Sequence, residues 1–323
     1  MNREITASGG AQTLRVVRAW SAADQVMCYV LADPLGAALP PWAPGAHIDL
    51  HLPSGMTRQY SLSGDPADRR RWRIAVLLEE DGRGGSRYLH DQVREGSQLL
   101  VSQPRNNFPL ASADRYVFIA GGIGITPLLP MIAAAHAAGA DWRLHYGARS
   151  RARMAFADEA ERYGDRCRLH PQDTAGFLPL ERILRSAADG TAVYCCGPEP
   201  LLLAVEAQHR AQGGGSLHVE RFRPRAAGTD ADGADDGFDV VLNSTGRVVR
   251  VPSGLSIMAA LEKAGVDVPS SCREGTCASC ETVVLDGEVD HRDSVLTDEE
   301  RASGGTMMLC VSRARSPRLV LDL

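Results

Sequence analysis

The chain has 323 residues, room for two or three domains, and its 44% hydrophobic and 23% charged content excludes a disordered, collagen-like or membrane-bundle protein. A net charge of −5 and a pI near 6.0 give no global basic field, so no nucleic-acid partner is expected; of 35 basic residues only Lys263 is a lysine. Four of the eight cysteines (Cys272, Cys277, Cys280, Cys310) crowd into the C-terminal part. The others, Cys28, Cys167, Cys195 and Cys196, are scattered or adjacent, which is not the pattern of a secreted disulfide scaffold.

The opening MNREITASGGAQ has no apolar segment of the secretory kind, so a cytoplasmic location with reduced thiols is expected. Residues 1–110 read as six short strands, 14–17, 26–31, 47–52, 58–63, 72–78 and 98–101, punctuated by Gly, Pro and Asp. A helix at 86–93, opened by Gly84-Gly85-Ser86, interrupts them, and the series suggests a small antiparallel β-barrel. From residue 116 the pattern changes to strand–helix alternation: YVFIA, then 126–138; WRLHYGA, then 156–163; TAVYCCG, then 199–212; and a closing strand, 216–220. Such alternation predicts a parallel α/β sheet, and Pro127 and Pro198 suit the first turns of their helices.

The segment 116–140 carries no Asp, Glu, Lys or Arg and is long enough to span a bilayer. Gly121, Gly122, Gly124, Pro127 and Pro130 break it early and no basic or aromatic flanks mark two interfaces, so a buried strand, turn and helix is expected, without a membrane. Residues 224–236, PRAAGTDADGADD, cannot bury themselves and read as a linker. Beyond it a hairpin (238–242, 248–251), a helix (256–264) and a strand (280–285) predict a small α+β domain. The expected division is 1–110, 111–223, linker 224–236 and 237–323; the four aspartates of 230–236 and the last domain each contribute −4, leaving +3 on residues 1–229.

Cys272, Cys277 and Cys280 form C-x4-C-x2-C and, with Cys310 downstream, match the plant-type [2Fe–2S] spacing. Two bridged irons need four thiolates in a compact arrangement, and the small residues Gly275, Ala278 and Ser279 let backbone N–H groups approach the sulfurs. Zinc favours paired C-x2-C units, absent here, and a structural disulfide does not suit a reducing compartment. A one-electron centre also requires a source of reducing equivalents.

Arg58-Gln-Tyr60-Ser61 lies on an expected strand and resembles the R-x-Y-S flavin motif of the ferredoxin-reductase superfamily; taken alone it also fits an ordinary amphipathic strand. The resemblance implies that Arg58 meets the flavin phosphate, Tyr60 packs on the ring and Ser61 bonds near its N5. Gly84, Gly85 and Ser86 would offer free N–H groups to a phosphate at a helix N-terminus, or simply make a tight turn. Gly121-Gly122-Ile-Gly124-Ile-Thr126-Pro127 follows a strand and opens a helix, the right context for a dinucleotide, but departs from G-x-G-x-x-G. It is similar to the superfamily's nicotinamide motif, in which Thr126 also approaches the flavin. Cys196-Gly197-Pro198 matches its C-G-P motif; in isolation Cys196 would read as a core thiol. Arg149 and Ser150 are candidates for the adenosine half, where an arginine suits either a 2′-phosphate or the adenine face.

In chain order the whole sequence resembles the phthalate dioxygenase reductase family, which includes vanillate demethylase reductases. The resemblance implies three domains: an FMN-binding antiparallel barrel, an NAD-binding parallel α/β domain and a β-grasp plant-type ferredoxin. It likens PRNNFPL (104–110) to the interdomain segment. It extends the flavin set to Gln59, Ala75, Val76 and Leu77, and through HVERF (218–222) to Phe222, a residue that equally suits a core. The expected cofactors are FMN, NADH and a [2Fe–2S] cluster. The expected function is that of an oxidoreductase passing electrons singly to an oxygenase component of the Rieske type, with a monomer as the expected state. Two alternatives stay open: a reductase for a cytochrome P450 or other monooxygenase, and a redox sensor without turnover.

Overall fold

The computed structural model describes residues 10–187, 189–224 and 237–323, so the expected linker lies, apart from Pro224, outside the described residues. Two compact units, Met1–Glu220 and Arg221–Leu323, make up the chain.

The first unit opens with the six expected strands: β1 (Gln12–Ala23), β2 (Val26–Ala32), β3 (His47–His51), β4 (Thr57–Ser61), β5 (Trp72–Leu77) and β6 (Gln98–Val101), with α1 (Gly85–Gln92) before the last. They form an antiparallel sheet in the order β4-β3-β6-β1-β2-β5. Ser63 N donates to Arg73 O at 2.8 Å, drawing the outer strands β4 and β5 together into a half-barrel around Leu14, Tyr29, Ile48, Leu50, Leu62 and Trp72. β1 extends well past its expected end because register shifts at Val16/Arg18 and Ser21/Ala23 keep it paired with β2 where its alternation fails.

The same unit continues through β7 (Arg115–Gly121), α2 (Ile125–Ala137), β8 (Asp141–Ala148), α3 (Ala157–Glu161), β9 (Cys167–Pro171), α4 (Gln172–Ala175), α5 (Leu180–Arg185), β10 (Thr191–Cys196), α6 (Glu199–Gln212) and β11 (Ser216–Glu220). The five strands are parallel in the order β11-β10-β7-β8-β9. The central β7 and β10 are buried nearly throughout, as strands covered on both faces must be. Because the order reverses between them, their C-terminal ends frame the crevice where open α/β sheets bind ligands. The uncharged stretch 116–140 resolves into β7, a turn and α2; among the described residues no helix is long and apolar enough to cross a membrane.

Side chains lock the barrel to this sheet. Arg73 on β5 donates to both carboxylate oxygens of Glu159 at 2.8 and 3.1 Å, and its guanidinium lies 4.7 Å over the Phe156 ring. Asp24 N donates to Ala152 O at 2.8 Å. In the connecting segment, Phe108 packs edge-on against Tyr194 of β10, whose hydroxyl accepts from Ala111 N at 2.7 Å and donates to Pro109 O at 3.0 Å.

The second unit contains β12 (Phe238–Leu242), β13 (Val248–Val251), α7 (Ile257–Lys263), β14 (Glu281–Asp286), β15 (Val289–Asp290), α8 (Asp298–Ser303), β16 (Thr306–Met308), β17 (Arg313–Ala314) and β18 (Arg318–Leu321). The expected hairpin β12–β13 is present, and β18 returns between β12 and β14, parallel to β12, giving the mixed order β13-β12-β18-β14-β16. Ser256 caps α7, and Thr297 with Glu300 forms a capping box on α8.

The Tyr194 hydroxyl bonds the Ala111 N–H and the Pro109 carbonyl at the barrel–sheet junction. Tyr194→Phe is expected to destabilise the protein by about 0.5–1.5 kcal/mol. A urea unfolding curve indistinguishable from that of the unmodified chain would contradict this.

Candidate functional site

Two glycine turns meet at the crevice between β7 and β10. A Cβ on Gly124 would lie 2.2 Å from Cys196 O, and one on Gly121 would lie 2.6 Å from Pro198 Cδ and 3.2 Å from Gly197 Cα. The G-G-I-G and C-G-P segments, some seventy residues apart in sequence, thus touch backbone to backbone. Gly122 adopts φ 54° and opens a short 3-10 turn that leads into α2, with no side chain capping the N-terminus of either. Thr126 is buried, and its hydroxyl donates to Ile123 O at 2.9 Å, bracing the turn. Arg149 and Ser150 follow β8, the neighbour of β7, where Arg149 is exposed and its carbonyl accepts from Asp173 N.

What faces Cys196 has no local signal in the sequence. β10 and β11 run in register, Cys196 beside Glu220, and the Cys196 thiol lies 3.8 Å from Glu220 Oε2. Desolvation pushes the Glu220 carboxyl up to about 8, partly offset by its bond to Cys196, and burial together with Glu220 raises the Cys196 thiol well above its ordinary range. His218, two residues earlier, stacks on Tyr194 at 4.5 Å. Cys195 is buried in the sheet core, as expected of it.

On the barrel, Gly85 is needed because a Cβ there would lie 2.8 Å from Arg58 Cγ and Nε, so the arginine stem crosses the first turn of α1. That helix starts at Gly84 (φ 92°) without a side-chain cap, which brings a guanidinium and free N–H groups together as a phosphate would require. The Ser86 hydroxyl accepts from Glu79 N at 3.0 Å and holds the turn. Tyr60 shares the Arg58 face of β4 by strand alternation, and burial raises its hydroxyl above the ordinary range. Gln59 and Ser61 take the opposite face. Gln59 donates to Asp49, a buried carboxylate also held by Arg105 at 2.8 Å, so its amide faces the connecting segment. Ala75 and Leu77 pack with Val26 and Ala155, Val76 is in the barrel core, and the Val76 carbonyl bonds His90. Phe222 is 42% exposed and belongs to the second unit.

In that second unit Cys272, Cys277, Cys280 and Cys310 are all buried free thiols. Hydrogen bonds from Cys277 and Cys310 pull the Cys272 thiol below its ordinary range, a bond from Cys310 lowers Cys280, and the two donors are pushed up in exchange. The four thiols neighbour one another in the series 277–272–310–280. Arg273, Gly275 and Ala278 have φ between 58° and 70°, and this left-handed path turns Glu274 N and Thr276 N onto Cys272 Sγ at 3.3 and 3.5 Å and Ser279 N onto Cys277 Sγ at 3.4 Å. A non-glycine residue in that region carries strain of about 1–2 kcal/mol, which the inward N–H groups explain. Burial, thiol pairing and aimed N–H donors fit an iron–sulfur cluster.

A flavin-type half-barrel, a doubly wound nicotinamide-type sheet and a thiol-lined ferredoxin fold define an oxidoreductase that transfers electrons. Comparison with known proteins agrees. Residues 240–315 match the family model described as a 2Fe-2S iron-sulfur cluster binding domain. The phenoxybenzoate dioxygenase subunit beta of Ectopseudomonas oleovorans is 45% identical over 96% of this chain and 97% of its own. A solved structure of phthalate dioxygenase reductase, described as modular for electron transfer from pyridine nucleotides to [2Fe–2S], aligns with TM-score 0.70 and 38% identity over 97% of this chain and 98% of that one. An intact type IV self-sufficient cytochrome P450 monooxygenase aligns with TM-score 0.91 and 43% identity over 100% of this chain, which spans 43% of that protein. The chain belongs to the phthalate dioxygenase reductase family, the oxidoreductases that act as reductase components of oxygenase systems.

Glu220 makes stability depend on pH. Its carboxyl, moved from 4.5 to about 8, stays protonated in the folded chain where the unfolded chain has lost its proton, so stability falls as pH rises from about 4.5 to about 8 and then levels. Glu220→Gln is expected to flatten that decline in unfolding midpoints measured across the window; equal slopes in both proteins would contradict it.

Proposed function

We propose that the chain is an NADH-dependent FMN/[2Fe–2S] reductase that passes electrons one at a time to a Rieske-type aromatic-ring dioxygenase or O-demethylase. The observation that carries this reading is the presence on one chain of a crevice for a dinucleotide, a guanidinium-lined helix N-terminus for a flavin phosphate, and four paired thiols. When bound, FMN accepts the two-electron hydride of NADH and the cluster releases electrons singly, bridging a mismatch no side chain can.

The residues then divide the work. Arg58 and the N–H groups at Gly84, Gly85 and Ser86 hold the FMN phosphate, and Tyr60 covers the ring; Gln59, Ser61, Ala75, Val76, Leu77 and Thr126 complete the set, while Phe222 joins it from the resemblance alone. Gly122, Gly124 and Thr126 receive NADH at the start of α2, Cys196, Gly197 and Pro198 position its nicotinamide, and Arg149 and Ser150 its adenosine half. Cys272, Cys277, Cys280 and Cys310 ligate the irons. The domain bounds proposed are 1–110, 111–223 and 237–323, joined by 224–236. A monomer in the cytoplasm, with no nucleic-acid or membrane partner, completes the proposal.

The similarity to a self-sufficient P450 monooxygenase favours, as a second reading, a haem oxygenase as acceptor. Assays of NADH-dependent transfer to purified Rieske and P450 partners separate the two.

Cys277→Ser is expected to abolish the visible absorption of the cluster and to reduce NADH-dependent cytochrome c reduction at least tenfold, while bleaching of the flavin by NADH persists. Full cytochrome c reduction in that variant would remove the thiols from the exit route. A colourless, iron-free purified protein would remove the cluster itself.

A further inference from the structure

We infer that Asp293 is a positioning residue for the iron–sulfur loop and that its buried negative charge holds the reduction potential of the cluster down. The inference rests on the assignment of the cluster to Cys272, Cys277, Cys280 and Cys310, and adds to it a group outside the ligand set.

Asp293 stands in the turn before α8, only 1% exposed. Its Oδ1 accepts from Val295 N at 2.9 Å and Leu296 N at 2.8 Å, which folds the turn tightly. The folded turn presses on the middle of the cysteine loop. Ser294 N donates to Gly275 O at 2.8 Å, and a Cβ on Gly275 would lie 3.1 Å from Asp293 Cα and 2.6 Å from Val311 Cγ2, next to Cys310. Gly275 sits between Cys272 and Cys277 and carries the left-handed bend that aims the neighbouring N–H groups at Cys272 Sγ. Asp293 therefore sets where those donors point.

The shape of the turn uses only one carboxylate oxygen. Oδ2 is buried and, among the described residues, has no hydrogen-bond partner. His291 Nδ1, also buried and unpartnered, stands 3.7 Å away, too far to bond, and Arg301 Nη2 is 3.6 Å from Oδ1 while donating to the Asp293 carbonyl at 2.6 Å. An asparagine would satisfy Val295 N and Leu296 N equally well through its carbonyl oxygen, without burying a charge. A buried carboxylate with one oxygen unsatisfied is destabilising, so its charge needs a reason beyond the turn. Cluster potentials respond to nearby charge and to hydrogen bonds on the sulfurs, and a negative charge packed behind the loop disfavours addition of an electron.

The test compares the full-length, cluster-loaded wild type with Asp293→Asn and Arg301→Met by spectroelectrochemical titration, with electron paramagnetic resonance of the reduced cluster and the rate of cluster loss to a chelator as further readouts. Asp293→Asn keeps the acceptor and removes the charge. It is expected to shift the one-electron equilibrium at least threefold toward the reduced cluster, about 28 mV upward at 59 mV per tenfold, with the resonance signal and chelator rate unchanged. Arg301→Met removes the countercharge and is expected to move the potential the opposite way. Asp293→Ala, which lets go of both N–H groups, is expected to lose its cluster faster than Asp293→Asn does. A wild-type potential in Asp293→Asn, or shifts of the same sign in Asp293→Asn and Arg301→Met, overturns the inference while leaving the cluster in place. A wild type without the cluster spectrum overturns the underlying assignment, and the role of Asp293 with it.

Discussion

Close approach of backbone to backbone at the ends of β7 and β10 is the constraint around which the first unit is arranged. Gly124 against the Cys196 carbonyl, and Gly121 against Gly197 and Pro198, leave no room for a side chain. That contact exists because the sheet reverses its strand order there, and it leaves the start of α2 open above the crevice. The buried runs in β7 and β10, the hydroxyl of Tyr194 and the thiol–carboxyl pair of Cys196 and Glu220 all lie on the strands that hold the two turns in place.

The second unit answers a similar demand by other means. A dinucleotide is held by N–H groups at a helix start, whereas sulfurs carrying negative charge need donors from several directions at once. The cysteine loop supplies them by bending left-handed at Arg273, Gly275 and Ala278, two of them residues with side chains. Such a path persists only when its surroundings fix it, here the turn at Asp293 and Val311 in the turn after β16.

Much of this was legible in the sequence because the signals were local. The spacing of Cys272, Cys277 and Cys280, the glycines after YVFIA and the strand–helix alternation each occupy a few consecutive residues. What was not legible depends on distant partners. β18 pairs in parallel with β12 across some eighty residues, and β9, Cys-Arg-Leu-His-Pro, alternates over only five residues and ends on a proline. Helix α3 was expected to begin at Phe156, yet that residue takes φ 57° and stays outside it, beneath the Arg73 guanidinium. R-x-Y-S marked four residues as one group, but the pleat of β4 places Arg58 and Tyr60 on one face and Gln59 and Ser61 on the other. Nothing local in the sequence marks Glu220 or Asp293 among the chain's forty acids; only the place of Glu220 beside the Cys196 thiol and of buried Asp293 against Gly275 sets them apart.

The Arg73 clamp bears on how such reductases can be recombined. A crossover near residue 110 would follow the topology, barrel on one side and parallel sheet on the other, yet it would ask a foreign sheet to supply Glu159, Phe156, Ala152 and Tyr194 in matching positions. A crossover after Glu220 severs none of these bonds. The part of the chain that can be inherited as one piece is therefore the barrel together with its sheet, and chimaeras assembled from shorter segments must carry both halves of the clamp.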